Sequence, residues 1–206
     1  MPGEALPTLS TASRLSEILA LLVLGYLLTC LALFLQRKKA PLPRLARLGL
    51  FLLAALYAAG YLYLTFFYRP PAPRPRLMLR PFWSYREAFS LEGGFQIRRL
   101  GVARSILLNI LLYVPLGYLL PALFRLTVPT ESRLSPLRRH PFLFALLFAM
   151  TLSLLTEILQ YFTCRGLCEL DDLFDNLLGA ALGCAAIVVA IRLSRHYDTY
   201  LPSDTH

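Results

Sequence analysis

The sequence predicts an all-α fold: a polytopic membrane helix bundle of about five transmembrane helices plus one interfacial amphipathic helix. Three observations carry this expectation. First, 57% of the 206 residues are hydrophobic and only 16% are charged, with a mean hydropathy of +0.57, an apolar excess beyond what a soluble chain of this size can bury. Second, apolar runs near Leu15–Leu35, Leu48–Tyr68, Val102–Phe124, Pro141–Phe162 and Asn176–Leu193 approach the ~20 helical residues that cross a hydrocarbon core. Third, Leu77–Leu91 mixes Leu79, Phe82, Trp83, Tyr85 and Phe89 with Arg80, Arg86 and Glu87, as a helix lying in the membrane interface does. No internal repeat or second soluble domain interrupts the chain, so residues 1–206 read as one membrane domain.

Met1–Ser13 lacks a basic start and the apolar run after Arg14 is longer than a signal core, so the first run is expected to stay as a span. The third contains Pro115 and Gly117, which a membrane helix tolerates where its neighbours satisfy the freed backbone groups. The fifth run is the weakest, and a four-span bundle with that run on the surface is the competing count.

Orientation follows the basic residues, since short cytoplasmic loops retain them. Arg37, Lys38, Lys39, Arg44 and Arg47 fall in the first loop, Arg125, Arg133, Arg138 and Arg139 in the third, and Arg192 and Arg195 in the tail. The N-terminus is therefore expected outside and the C-terminus in the cytoplasm, against the counter-signal of the arginine-rich segment Arg69–Arg104. A net charge of +9 suits anionic lipid head groups and calls for no nucleic acid.

Pro70, Pro71, Pro73 and Pro75 hold the approach to the interfacial segment extended, and Gly93-Gly94 turns the chain back to the bilayer. The polar residues kept inside the spans are the functional candidates, because an ionisable group there is costly. Glu157 and Gln160 share one helix face at i, i+3 spacing. The loop Thr163–Asp172 follows with Arg165, Glu169, Asp171 and Asp172, and the fifth span opens with Asp175 and Asn176. Asp175 reads as a helix cap. Asp172, Asn176, Gly179 and Gly183 form a polar and small stripe whose glycine pair fits close helix packing. Asn109 opens the third span, so Asn109, Glu157, Gln160 and Asn176 are expected at one membrane face, together with Pro81 and Phe82.

The boxes Leu79-Arg80-Pro81-Phe82, Asn109 through Gly117 and Ser153 through Gln160, followed by Arg165, Asp172, Asn176 and Gly179, resemble the VanZ-like membrane proteins. The chain departs from that pattern at Met78, where Asn is frequent, and at Glu169, where Asp is common. The resemblance implies a bacterial plasma-membrane protein linked to teicoplanin resistance or cell-envelope processing.

Three readings of the polar mouth stay open. As an enzyme acting on a lipid-linked or cell-wall molecule, it would use Glu157 as general acid or base, Asp172 as partner carboxylate and Arg165 as an anion clamp, with Gln160, Asn109, Asn176 and Phe82 contacting substrate. As a binding or shielding protein it would hold a lipid, a lipid-linked precursor or a lipoglycopeptide without reaction. As a structural feature, Glu157, Arg165 and Asp172 would be buried ion pairs. No cofactor is expected. Glu157, Glu169, Asp171, Asp172 and Asp175 offer oxygen ligands for Mg²⁺ or Ca²⁺ but match no defined loop. Cys164 and Cys168 flank Arg165, where a disulfide would fix that arginine.

Overall fold

The computed structural model describes residues 23, 25–27, 29–30, 44–67, 69–90, 97–128 and 131–200. Val23, Gly25, Tyr26, Leu27, Thr29 and Cys30 are helical; the rest of the first expected span, Leu15–Leu35, and the Gly93-Gly94 turn lie outside the described residues. In chain order follow α1 (Arg44–Leu62) with a π-helical extension (Tyr63–Phe67), β1 (Leu77–Met78), α2 (Trp83–Phe89), α3 (Ile97–Thr127), α4 (Ser135–Arg139), α5 (Pro141–Thr163), β2 (Cys168–Glu169) and α6 (Leu170–Tyr200).

Among the described residues, four helical segments are long and apolar enough to cross a membrane: Arg47–Phe67, Arg98–Thr127, Pro141–Thr163 and Leu170–Leu193. Their outward faces carry exposed Leu48, Phe51, Leu52, Leu56, Leu147, Phe148, Leu155 and Leu182. Helices apolar on both their packed and their outer faces belong in lipid, not in water. The all-α membrane bundle therefore stands.

Two expectations on element boundaries are corrected. Leu77–Leu91 is not one helix: Leu77 and Met78 pair in parallel with Cys168 and Glu169, and only Trp83–Phe89 is helical. Pro81 and the left-handed Phe82, at φ 57°, break any helix that began earlier. The last span also starts sooner than Asn176, at Leu170, so Asp172 is a residue of the helix's first turn and not of a loop.

The bundle is centred on α3 against α6. A Cβ placed on Gly179 would stand 2.1 Å from the Ile110 carbonyl oxygen, one on Gly183 2.1 Å from that of Val114, and one on Gly117 2.0 Å from that of Ala180. No side chain fits at such approach, so the two backbones touch along this seam, as small residues permit in membranes. Tyr61, Tyr113, Leu116, Ala149 and Ala180 pack the core where α1, α3, α5 and α6 meet. Further along, Tyr118, Leu119, Ala122 and Ile187 form a second cluster. Half-buried tyrosines find carbonyl partners, Tyr57 Oη donating to Leu112 (3.0 Å) and Tyr26 Oη to Ala186 (3.2 Å).

Gly179→Leu and Gly183→Leu are expected to separate the seam, at a cost above the about 1–3 kcal/mol of ordinary overpacking. Thermal melting of detergent-purified protein should show a large loss for both, and none for Gly49→Leu, where an added Cβ meets nothing within 4 Å.

Candidate functional site

The start of α6 presents acidic side chains to two different neighbours, because residues four apart share a helix face and adjacent residues do not. Asp171 and Asp175 face α2. Asp172 and Asn176 face the interior of the bundle, where they line a cavity with α1, α3 and α5.

On the α2 side, Asp171 is fully buried and its carboxylate accepts from Phe82 N (2.6 Å), Ser84 N (2.9 Å) and Ser84 Oγ (2.6 Å). A side chain 87 positions downstream of Ser84 thus does the work of an N-cap, and it holds Phe82 in its left-handed conformation. Tyr85 Oη donates to Asp175 and Trp83 Nε1 to Glu169 Oε2 at 3.1 Å. Asp175, expected to cap its own helix, lies beyond the first turn of α6 and fastens α2 instead.

The interior cavity is lined by Tyr61, Thr65 and Arg69 from the α1 side, Asn109 and Tyr113 from α3, Thr156, Glu157 and Gln160 from α5, and Asp172 and Asn176 from α6. The cavity volume is ≈ 70 Å³, several times the ~10–15 Å³ that one water needs. Part of its wall is self-satisfied. Thr156 Oγ1 donates to the Leu152 carbonyl (2.8 Å), so at the 2.5 Å contact it accepts from Tyr61, which in turn accepts from Tyr113 at 2.7 Å. Each hydroxyl has one proton, and the order follows from that count. Ser153 Oγ accepts from Asn176 Nδ2 (2.8 Å) and is a hydrogen-bond neighbour of Tyr113. Glu157 Oε2 accepts the Glu169 amide at 2.8 Å, and the Asp172 carboxyl and the Cys168 thiol are further hydrogen-bond neighbours.

Two atoms in this cavity have no partner among the described residues: Asn109 Nδ2 and Asn176 Oδ1. Asn109 is 7% exposed and Asn176 5%, so water outside the bundle does not serve them either. A buried donor on one wall residue and a buried acceptor on another are thus left unpaired among the described residues.

A second cavity, ≈ 230 Å³ by the same measure, lies under α2 and is lined by Trp83, Ser84, Arg98, Ser105, Glu169, Asp172 and Asp175, among others. Asp172 borders both cavities.

Of the residues singled out from the sequence, Asn109, Glu157, Gln160, Asp172 and Asn176 come together around the interior cavity. Arg165 and Phe82 do not line it. Arg165 Nη1 donates to the Phe66 and Arg69 carbonyls at 2.9 and 3.0 Å, tying the loop to the π-helical end of α1, and among the described residues it pairs with neither Glu157 nor Asp172. Phe82 is half-exposed and stacks on Phe174, ring centroids 5.3 Å apart. The cation at the cavity is Arg69, whose Nη1 donates to Gln160 Oε1 at 3.3 Å. Sequence reasoning missed Arg69, Tyr61, Tyr113 and Thr156; a polar residue at regular helical spacing inside a span was the signal for the last three. Among the described residues no group of three or more His, Cys, Asp or Glu is arranged to hold a metal ion, and Cys164 and Cys168 are free thiols.

A sequence model of the VanZ/LLP1 family matches residues 51–192. The chain belongs to the VanZ/LLP1 family. The VanZ/LLP1 match takes in every residue that lines either cavity and runs from within α1 to within α6. No curated protein and no solved structure matches the chain.

Glu169 stands outside the spans, and burial pushes its carboxyl from 4.5 up to about 7, against the pull of the Trp83 hydrogen bond. The folded protein thus holds this proton more tightly than the unfolded chain. The resulting stabilisation is complete below the unfolded value and is lost as pH rises through about 7. Trp83 is the sole tryptophan of the sequence and bonds directly to this carboxyl. Its fluorescence is expected to titrate with a midpoint near 7 and to become flat in Glu169→Gln. A flat profile in the unaltered protein would contradict the assignment.

Proposed function

We propose that the interior cavity receives the polar head of a lipid-linked or lipid-bearing cell-envelope molecule at the outer face of a bacterial plasma membrane. The observation that carries this reading is the unpartnered pair Asn109 Nδ2 and Asn176 Oδ1. Leaving such groups unpaired costs about 1–3 kcal/mol each, a cost recovered when a ligand supplies an acceptor and a donor. Hydroxyl or amide groups do both. Glu157 and Asp172 would accept from hydroxyls or amines of the head, and Arg69 would meet its anionic oxygens. Membrane lipids surround the bundle; the ligand is drawn from lipid-linked cell-wall precursors or from lipoglycopeptides such as teicoplanin. Protection against the latter is the cellular outcome that family membership suggests. The orientation that serves this role has the N-terminus outside and the C-terminus in the cytoplasm, with the cavity opening outward.

A catalytic reading is favoured by one feature, the direct contact of the Glu157 and Asp172 carboxyls, an arrangement able to pass a proton to and from a bound group. Binding is preferred because the cavity has no activated nucleophile among the described residues. The nearest thiol, Cys168, is pushed up by burial and then by the neighbouring Glu157 and Asp172 charges, which keeps it protonated and unreactive.

The test is teicoplanin susceptibility of bacteria expressing the protein, comparing wild type with Glu157→Gln and Asp172→Asn at equal membrane levels. A hydrogen bond to a charged group contributes about 1.5–3 kcal/mol, so each variant should bind about tenfold or more weakly and protection should fall severalfold. Full protection in both would remove the carboxylates from the site.

A further inference from the structure

Beside the polar cavity runs an apolar groove between α1 and α3. It is lined by Leu53, Leu56, Tyr57, Gly60 and Tyr61 on one helix, and by Leu111, Leu112, Pro115, Tyr118 and Leu119 on the other. These positions follow helical spacing on both sides, so the groove runs along the helices and not across them. From Leu53 to Tyr61 is ~12 Å at 1.5 Å per residue, close to the ~15 Å of one leaflet of a ~30 Å core. Tyr57 is the polar residue midway along it, and its hydroxyl is already spent on the Leu112 carbonyl. Tyr61 and Leu112 line both groove and polar cavity, so the two share a wall. At Gly60, beside Tyr61 at the end of the groove next to the polar cavity, an added Cβ would meet nothing within 4 Å among the described residues.

We infer that this groove holds the single hydrocarbon chain of the amphiphile whose polar head occupies the cavity. The inference rests on the head-group reading above and adds the ligand's shape: one acyl or prenyl chain, entering sideways from the bilayer. Hydrocarbon gains little by leaving lipid for an apolar groove, because lipid tails are as apolar as leucine. Selective occupancy therefore requires the head. A chain without one exchanges freely with bulk lipid.

The test uses the full-length protein in phospholipid nanodiscs and two photoreactive probes of equal chain length, a diazirine-bearing N-acylglucosamine and the corresponding headless diazirine alkane. Labelled peptides are mapped by mass spectrometry. The headed probe should label the α1 and α3 groove peptides severalfold more than the alkane. Gly60→Leu, which puts a side chain on a lining position where an added Cβ meets nothing within 4 Å and replaces glycine by a better helix former, should cut that labelling severalfold at unchanged thermal stability, and Gly49→Leu should not. Equal labelling by both probes, labelling indifferent to Gly60→Leu, or a Gly60→Leu protein that fails to fold would each overturn the groove assignment. Failure of the head site reads differently: Glu157→Gln and Asp172→Asn would keep full protection. If those variants lose protection while groove labelling ignores Gly60→Leu, the head site stands and the groove falls.

Discussion

Direct backbone contact between α3 and α6 is the constraint on which the rest of the molecule depends. Gly117, Gly179 and Gly183 leave no room for a side chain between the two helices. The consequence at the seam's polar end is positional: Asn109, one residue before Ile110, and Asn176, three residues before Gly179, are brought to the walls of the same cavity. Among the described residues, Asn109 Nδ2 and Asn176 Oδ1 then stand buried without a partner.

The polar residues around the α6 start divide into a set that fastens α2 and a set that lines the inner cavity, and the division is one of satisfaction. Asp171 spends its carboxylate on three donors of the Phe82–Ser84 turn, and Asp175 and Glu169 each hold an aromatic side chain of α2. Those charges fix a seven-residue helix that has no side-chain cap of its own. Around the inner cavity, by contrast, the hydroxyls of Tyr61, Tyr113 and Thr156 close on one another, while Asn109 Nδ2 and Asn176 Oδ1 stay unpaired among the described residues. The protein tolerates that deficit in a region where unpaired polar groups are most costly. A single Asn→Leu change at position 109 would remove the unpaired donor and leave the Asn176 Oδ1 acceptor.

Four of the five expected spans and most of the cavity were legible in the sequence for one physical reason: polar residues stand out against an apolar run that would exclude them. Asn109, Glu157, Gln160, Asp172 and Asn176 were visible on that ground. Arg69 was not, because one arginine among several beside a proline-rich segment looks like a surface anchor, and only the fold turns it onto Gln160. Asp175 looked like a cap because a cap is a local device, whereas its partner Tyr85 lies 90 positions away. Arg165 looked like a ligand clamp because nothing local shows that two carbonyls at the π-helical end of α1 await it. The interfacial segment was read as too long a helix, since a two-residue strand contact has no periodicity to detect.

The central claim, that the cavity between Asn109 and Asn176 is a head-group site, is tested most directly by native mass spectrometry of the protein extracted gently from its membrane. Asn109→Leu is the informative variant, because the Asn109 Nδ2 has no protein partner to lose. The account predicts a non-phospholipid amphiphile bound one to one to the wild-type protein and missing from Asn109→Leu, with the variant folded and as stable as the wild type or more so. An adduct that survives the substitution, or a wild-type protein carrying only bulk phospholipid, would contradict it.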